Sequence, residues 1–247
     1  MARLVVGSGG GTGIGRAVAA RFAADGDDVV ILGRRGAVLD RAASEINQAC
    51  CDDRVTTQVA DLTDPGQVAV AAHAIAGRGV MDVIVNNAGG AFGGSPTSLA
   101  ETAEGWPPGF DGNVLTSVLL TEALEPALSR PGGRILTITS ISALRGAGSL
   151  RCCEGGAARV DDEPRNLAGS RRHHRQRRCA RLHPGHGVLE LALTDEVVDA
   201  RVALTPVVRP GTPEEVAAAV AYLASPSAGF TTGQILQVNG GSVLGRG

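Results

Sequence analysis

Six short runs of apolar, β-type residues punctuate the chain: Leu4–Val6, Val29–Leu32, Val55–Val59, Val83–Val85, Ile135–Ile138 and Ile235–Val238. Between them lie Ala-rich stretches of helical character, Ile14–Ala24, Ala37–Gln48, Pro65–Ile75, Val114–Leu128 and Pro213–Ala224. A strand with one wet face alternates apolar and polar residues, whereas a near-continuous apolar run is covered on both faces. Joined through helices, such strands lie parallel, with helices on either side of the sheet. Helix starts are well marked: Asp64-Pro65 and Thr212-Pro213-Glu214-Glu215 each set a capping residue before a proline, the second followed by first-turn acids. No internal repeat or linker divides the chain, so one α/β domain is expected over 1–247.

The first strand runs into Ser8-Gly9-Gly10-Gly11-Thr12-Gly13-Ile14-Gly15, and a helix follows directly. Glycines let the backbone turn sharply and approach a pyrophosphate, whose charge is met by the helix N-terminus. Strand, turn and helix in this order predict a Rossmann-type doubly wound parallel sheet in three layers, with Gly9, Gly11, Thr12, Gly13 and Ile14 at the dinucleotide.

The spacing Gly9-x-x-x-Gly13-x-Gly15 resembles the short-chain dehydrogenase/reductase family, classical type, with Ser8 in place of the usual threonine. Asp61-Leu62 after the third strand, Asn86-Asn87-Ala88-Gly89 after the fourth, and Asn113 within Phe110–Val114 follow in the family's order. Gly211–Val216, Thr232-Gly233-Gln234 and Asn239-Gly240-Gly241 extend the likeness, which covers about 1–149 and 188–247. The resemblance implies that Asp61 and Leu62 meet the adenine and that Asn87, Ala88 and Gly89 border the cofactor. It also implies that Asn113 kinks its helix and supports a proton-relay water. The second strand ends in Gly33-Arg34-Arg35, where an acid would bond an adenosine ribose hydroxyl. Arg34 and Arg35 are instead suited to a 2′-phosphate, which favours NADPH over NADH.

Ser140 ends the fifth strand, and by resemblance it polarises a substrate carbonyl. In the family a tyrosine then donates the proton, and a lysine four residues on lowers its pKa; a phenol of pKa ~10 needs such a neighbouring cation to act near neutrality. Here the chain reads Leu150-Arg151-Cys152-Cys153-Glu154-Gly155. All 23 basic residues are arginine, so no lysine exists to serve, and Tyr222, the single tyrosine, is expected to pack within its helix.

Composition marks the same place. Between Arg151 and Gly187 lie nine of the 23 arginines, four of the five histidines and three of the five cysteines, against four acids. Codons chosen for Leu150–Gly155 and read one base later give Tyr-Ala-Ala-Ala-Lys, the family's motif. The same shift turns Arg172–Leu182 into Ala-Ile-Thr-Val-Asn-Val-Val-Ala-Pro-Gly-Tyr, the family's sixth strand and Pro-Gly turn. Asp161–Arg165 becomes Thr-Thr-Asn-Leu-Ala, and the Tyr and Gly codons begin at positions 150 and 181 with no gap. We therefore read about Leu150–Gly187 as a stretch in a shifted frame. As printed, Arg171–Arg178 is expected to stay outside a sheet buried on both faces, because each uncompensated buried charge costs several kcal/mol.

Other classes fit poorly. The basic run Arg171–Arg181 lacks the interleaved aromatics of a nucleic-acid surface, and net charge −2 gives no general pull toward polyanions or membranes. Its histidines and cysteines have no paired metal-ligand spacing, so no metal is expected. Cys50 and Cys51 read as a reduced pair at a helix end. No run approaches the ~20 apolar residues of a membrane span, and no leader precedes Leu4, so a soluble cytoplasmic protein is expected. Two function classes remain: an NADPH-dependent oxidoreductase interconverting a small-molecule carbonyl and a secondary alcohol, or a catalytically inactive dinucleotide-binding member of the family. Resemblance implies a homo-oligomer, tetramer or dimer. The loops Ala91–Gly109 and Gly185–Thr205 are expected to contact substrate. Resequencing the DNA and weighing the intact protein test the frame: a shifted codon register is expected, and a mass equal to that of the printed chain would exclude a sequencing error.

Overall fold

A computed structural model describes residues 2–90, 92, 97–140, 202, 203 and 205–242, together with the backbone of 174–180. Its strands are β1 (Leu4–Ser8), β2 (Asp28–Gly33), β3 (Val55–Val59), β4 (Val83–Asn86), β5 (Arg134–Ser140), β6 (His174–Ala180) and β7 (Ile235–Val238). The helices are α1 (Gly13–Ala24), α2 (Gly36–Cys50), α3 (Pro65–Ala76), α4 (Leu99–Phe110), α5 (Thr116–Leu124) and α6 (Pro213–Ala224). The seven strands form one parallel sheet in the order β3-β2-β1-β4-β5-β6-β7. The order reverses between β1 and β4, and in open α/β sheets a ligand crevice opens at such a point, beyond the carboxyl ends of the strands.

Adjacent strand residues divide between two cores, as both-face burial requires. Val5, Val29, Ile31, Val83, Val85 and Leu136 pack with α1, α2 and α6 on one face. Val6, Val30, Leu32, Ile84 and Ile135 pack with α3 and α5 on the other. Asp64 accepts from the amides of Gly66 and Gln67 at the start of α3, and Thr212 and Glu215 form a reciprocal capping box on α6, as their sequence signals require. At the amino end of the sheet Arg3 bonds both carboxylate oxygens of Asp27 and the Ala224 carbonyl, joining β1 to the end of α6.

The structure corrects three expectations. Residues 174–180 enter the sheet as β6, level with β5 from Arg134↔His174 to Ser140↔Ala180 and with β7 from Arg177↔Ile235 to Ala180↔Val238. Without this strand β5 and β7 would each face unpaired backbone, at about 1–3 kcal/mol for every buried group left unsatisfied. The strand stands where the shifted reading places a β-type run. Second, the segment 91–109, read as a loop, contains α4, capped by the Ser98 hydroxyl on the Glu101 amide. Pro107 and Pro108 lie in its last turns and cannot donate to the helix ladder, and the chain passes into a π-turn over Asp111–Leu115 before α5. Third, Tyr222 does not pack: it is 51% exposed on α6.

One group runs against the fold. Arg134, at the start of β5, is only 5% exposed, its Nε and Nη1 have no partner among the described residues, and burial pushes its guanidinium pKa down. Arg134→Leu removes an unsatisfied polar group at similar volume and is expected to raise stability by about 1–2 kcal/mol. Urea unfolding checks this; a destabilised variant would mean that Arg134 has a stabilising role.

Candidate active site

The end of β1 and the exit of β4 are sewn together by two side chains. The buried Ser8 hydroxyl accepts from the amides of Asn87 and Ala88, both at 2.9 Å. Asn87 Nδ2 returns hydrogen bonds to the carbonyls of Ser8 at 3.1 Å and Gly9 at 3.3 Å. Gly9 turns the chain at φ +65°, and its amide bonds the Leu32 carbonyl at the end of β2. A Cβ on Gly15 would strike the Gly9 carbonyl and Asn87 Nδ2, so the first turn of α1 lies directly against the loop.

Thr12 is the N-cap of α1, but its side chain caps nothing. The first amides of a helix need an acceptor, and here the side chain does not supply one. Gly11, Thr12 and Gly13 are half-buried beside them, while Ile14 is buried in the core. This uncapped, positively poised end, in a cradle that side chains would fill, fits the pyrophosphate of a dinucleotide.

Arg34 and Arg35, after β2, are exposed, and among the described residues no hydrogen bond or ion pair engages either side chain. Asp61, after β3, accepts from the Thr63 amide at 3.0 Å and the Thr63 hydroxyl at 2.8 Å. These two bonds, and then the charge of Arg34, hold its carboxyl below the usual range against the opposing effect of burial. Leu62 is buried in the core, so only its backbone is available to a ligand.

At the carbonyl end, Asn113 sits in the π-turn and reaches across to the loop after β4. Its Oδ1 accepts from the Gly90 amide at 2.8 Å, and its Nδ2 donates to the carbonyls of Gly90 and Gly109, each at 3.0 Å. Gly89 is exposed beside it, and a Cβ there would come within 2.6 Å of Asn113 Oδ1. Asn86 Nδ2 donates to Thr121 on α5, tying the end of β4 to the helix that follows the π-turn. Ser140 closes β5 at the same carboxyl edge, 6% exposed.

A family model described as Enoyl-(Acyl carrier protein) reductase matches residues 7–242, from the end of β1 through β7, with both ends of the site inside it. The chain belongs to the short-chain dehydrogenase/reductase family. It is 35% identical over 251 residues to an uncharacterized oxidoreductase of Mycobacterium tuberculosis, covering 97% of this chain and 91% of that one. It is 30% identical to the 7alpha-hydroxysteroid dehydrogenase of Escherichia coli K12, covering 96% and 92%. A short-chain type dehydrogenase/reductase from Mycobacterium ulcerans superposes with a TM-score of 0.88 at 26% identity, over 99% of this chain and 91% of that one.

As a member of this family the chain is an oxidoreductase of small-molecule carbonyl and alcohol groups, and its cofactor class is NAD(P). Of the residues expected at the site, Asn87 and Ala88 converge on Ser8, Asn87 also reaches the Gly9 carbonyl, Gly89 meets Asn113, and Arg34 lies near enough to Asp61 to act on its charge. The run Leu150–Glu154, where the tyrosine and lysine are at issue, lies outside the described residues. Sequence reasoning missed Thr63, although Asp-x-Thr is a turn signal, and missed Gly112 and Phe92, whose pairing across the sequence has no local signature.

A depressed carboxyl stabilises the fold above its ordinary value near 3.8, and that contribution is lost as pH falls through the lower folded value. Thr63→Val removes the hydroxyl donor and leaves the amide. The Asp61 carboxyl is then expected to titrate at a higher pH than in the parent, and the acid-induced loss of stability to begin earlier. Carboxyl-carbon NMR titration of both proteins reads this; identical titrations would refute the role of Thr63.

Proposed function

We propose that this chain is an NADPH-dependent oxidoreductase that interconverts a ketone and a secondary alcohol. The observation that carries the cofactor choice is the end of β2, where two exposed arginines stand and no acid is present. A 2′-phosphate accepts charge-assisted, often bidentate bonds from guanidinium groups, whereas a 2′-hydroxyl asks for a carboxylate. The pyrophosphate goes to the uncapped start of α1, the adenine beside Asp61 and the backbone of Leu62, and the nicotinamide end along Asn87, Ala88 and Gly89. When bound, the dinucleotide supplies or accepts hydride. Ser140 polarises the substrate carbonyl. Asn113 acts as a brace, since both Nδ2 hydrogens are engaged by Gly90 and Gly109.

A homo-oligomer is supported by the edge strand β7, where Ile235 and Leu236 are exposed, as is Phe230 five residues before it. An apolar sheet edge of this kind is normally covered.

A second reading has its own observation: the printed residues 150–154 hold neither tyrosine nor lysine, which suits a dinucleotide-binding protein without catalysis. Fluorescence titration separates the cofactors. Arg34→Ser with Arg35→Ser is expected to lose about 10–100-fold in NADPH affinity while leaving NADH nearly unchanged; equal affinity of the parent for both cofactors would overturn the NADPH reading. NADPH oxidation with a ketone panel is then measured for the printed chain and for one whose 150–187 codons are read one base later. Turnover by the second alone assigns the printed chain to the inactive class, and turnover by the printed chain removes that class.

A further inference from the structure

Gly112 occupies the position in the π-turn just before Asn113, and it is buried. A Cβ built on it would collide with Cζ and Cε2 of Phe92. The aromatic ring therefore fills the space that a side chain at 112 would take. The same ring lies 3.6–3.7 Å from where a Cβ on Gly90 would stand. Thr116 fixes the floor of this socket by donating from its hydroxyl to the Gly112 carbonyl at 2.9 Å.

The loop after β4 is thus held to the π-turn at two places. Asn113 grips Gly90 by both its amide and its carbonyl, and Phe92, two residues on, seats its ring over Gly112. The hydrogen bonds fix direction but remain open to competition from water, because the groups are only partly buried. The ring supplies what those bonds lack: apolar contact that shields them and a rigid body that sets the height of the loop over the turn.

We propose that Phe92 is a positioning residue for the carbonyl site. Its seat on Gly112 keeps Gly90 locked to Asn113 and keeps the loop bordering the nicotinamide end from lifting. This rests on the oxidoreductase reading for its effect on turnover, but the lock itself is measurable without turnover. Gly112→Ala is the sharpest probe. The clash is with the far tip of a side chain, so the ring leaves and the backbone stays.

The test uses the full chain and amide hydrogen exchange resolved by residue. Phe92→Ala and Gly112→Ala are each expected to speed exchange at Gly90 by about tenfold, as the loss of a partly buried ring implies. Val30, deep in the sheet, should exchange as before, which general destabilisation would not allow. Because both changes open one contact, the double variant should be no faster than either single. Phe92→Leu should retain most of the protection. Dinucleotide affinity should stay within about twofold, since Ser8 and Asn87 hold that end, and kcat should fall more than KM rises. Unchanged protection at Gly90 in Phe92→Ala, or additive effects in the double variant, would overturn the proposal. Protection that follows the expected pattern in a protein without turnover would uphold the lock and count against the oxidoreductase reading instead.

Discussion

The two hydrogen bonds that the Ser8 hydroxyl accepts from the amides of Asn87 and Ala88 are where the molecule is committed to a site. A parallel sheet leaves β1 and β4 side by side with their carboxyl ends open, and nothing in strand pairing decides how the two exits diverge. One buried oxygen receiving two backbone donors decides it. The Asn87 amide completes the seam on Ser8 and Gly9, and this draws the glycine turn in until no side chain fits at Gly15. Leaving those two amides unbonded would cost about 1–3 kcal/mol each, a large share of a domain's marginal stability. A serine serves where the family usually has threonine because only the oxygen takes part in these bonds.

The elements that obey local rules were legible from the chain. Near-continuous apolar strands announced both-face burial, and Val5 and Val6 do divide between the two cores. Asp64 and Thr212 announced their helix starts. The glycine turn could be placed because it sits directly between a strand and a helix, and Asn113 was placed by resemblance to the family's motif. What escaped depends on contacts distant in sequence. Helix α4 carries a Pro-Pro pair that reads as a break, yet cap bonds from Ser98 and the relief of a π-turn accommodate it. Phe92 meets Gly112 across some twenty residues of chain, a pairing that no local pattern marks. Tyr222 carries an apolar ring on a helix whose inner face was already filled by Val216, Val220 and Leu223.

Strand β6 sets two physical demands against each other. The printed residues 174–180 are basic and polar for most of their length, a composition that a doubly covered strand does not favour. The ladder positions on β5 and β7 demand a partner all the same, and backbone hydrogen bonding does not depend on side-chain type. Topology therefore locates the strand, and its printed composition is at odds with that place. A sequence in which local preference and global position disagree over one strand, while agreeing nearly everywhere else, points to the strand's sequence rather than to the fold. The cluster of Arg, His and Cys at 151–187 and the recovery of Tyr-Ala-Ala-Ala-Lys in the neighbouring frame point the same way.

The adenosine end presents a subtler competition. An arginine close to a carboxylate can be consumed by it, and Arg34 does act on the charge of Asp61. If the carboxylate depended on that cation, a 2′-phosphate would have to displace an existing partner and gain little. Thr63 removes the dependence. Its amide and hydroxyl are the two largest influences keeping Asp61 ionised, ahead of Arg34, and no direct bond joins the arginine to the acid among the described residues. Asp61 is thus held charged by its own turn, and among the described residues no hydrogen bond or ion pair occupies the guanidinium groups of Arg34 and Arg35. In the proposed NADPH reading, one threonine two residues from the acid would allow carboxylate and arginine to serve neighbouring parts of a single nucleotide.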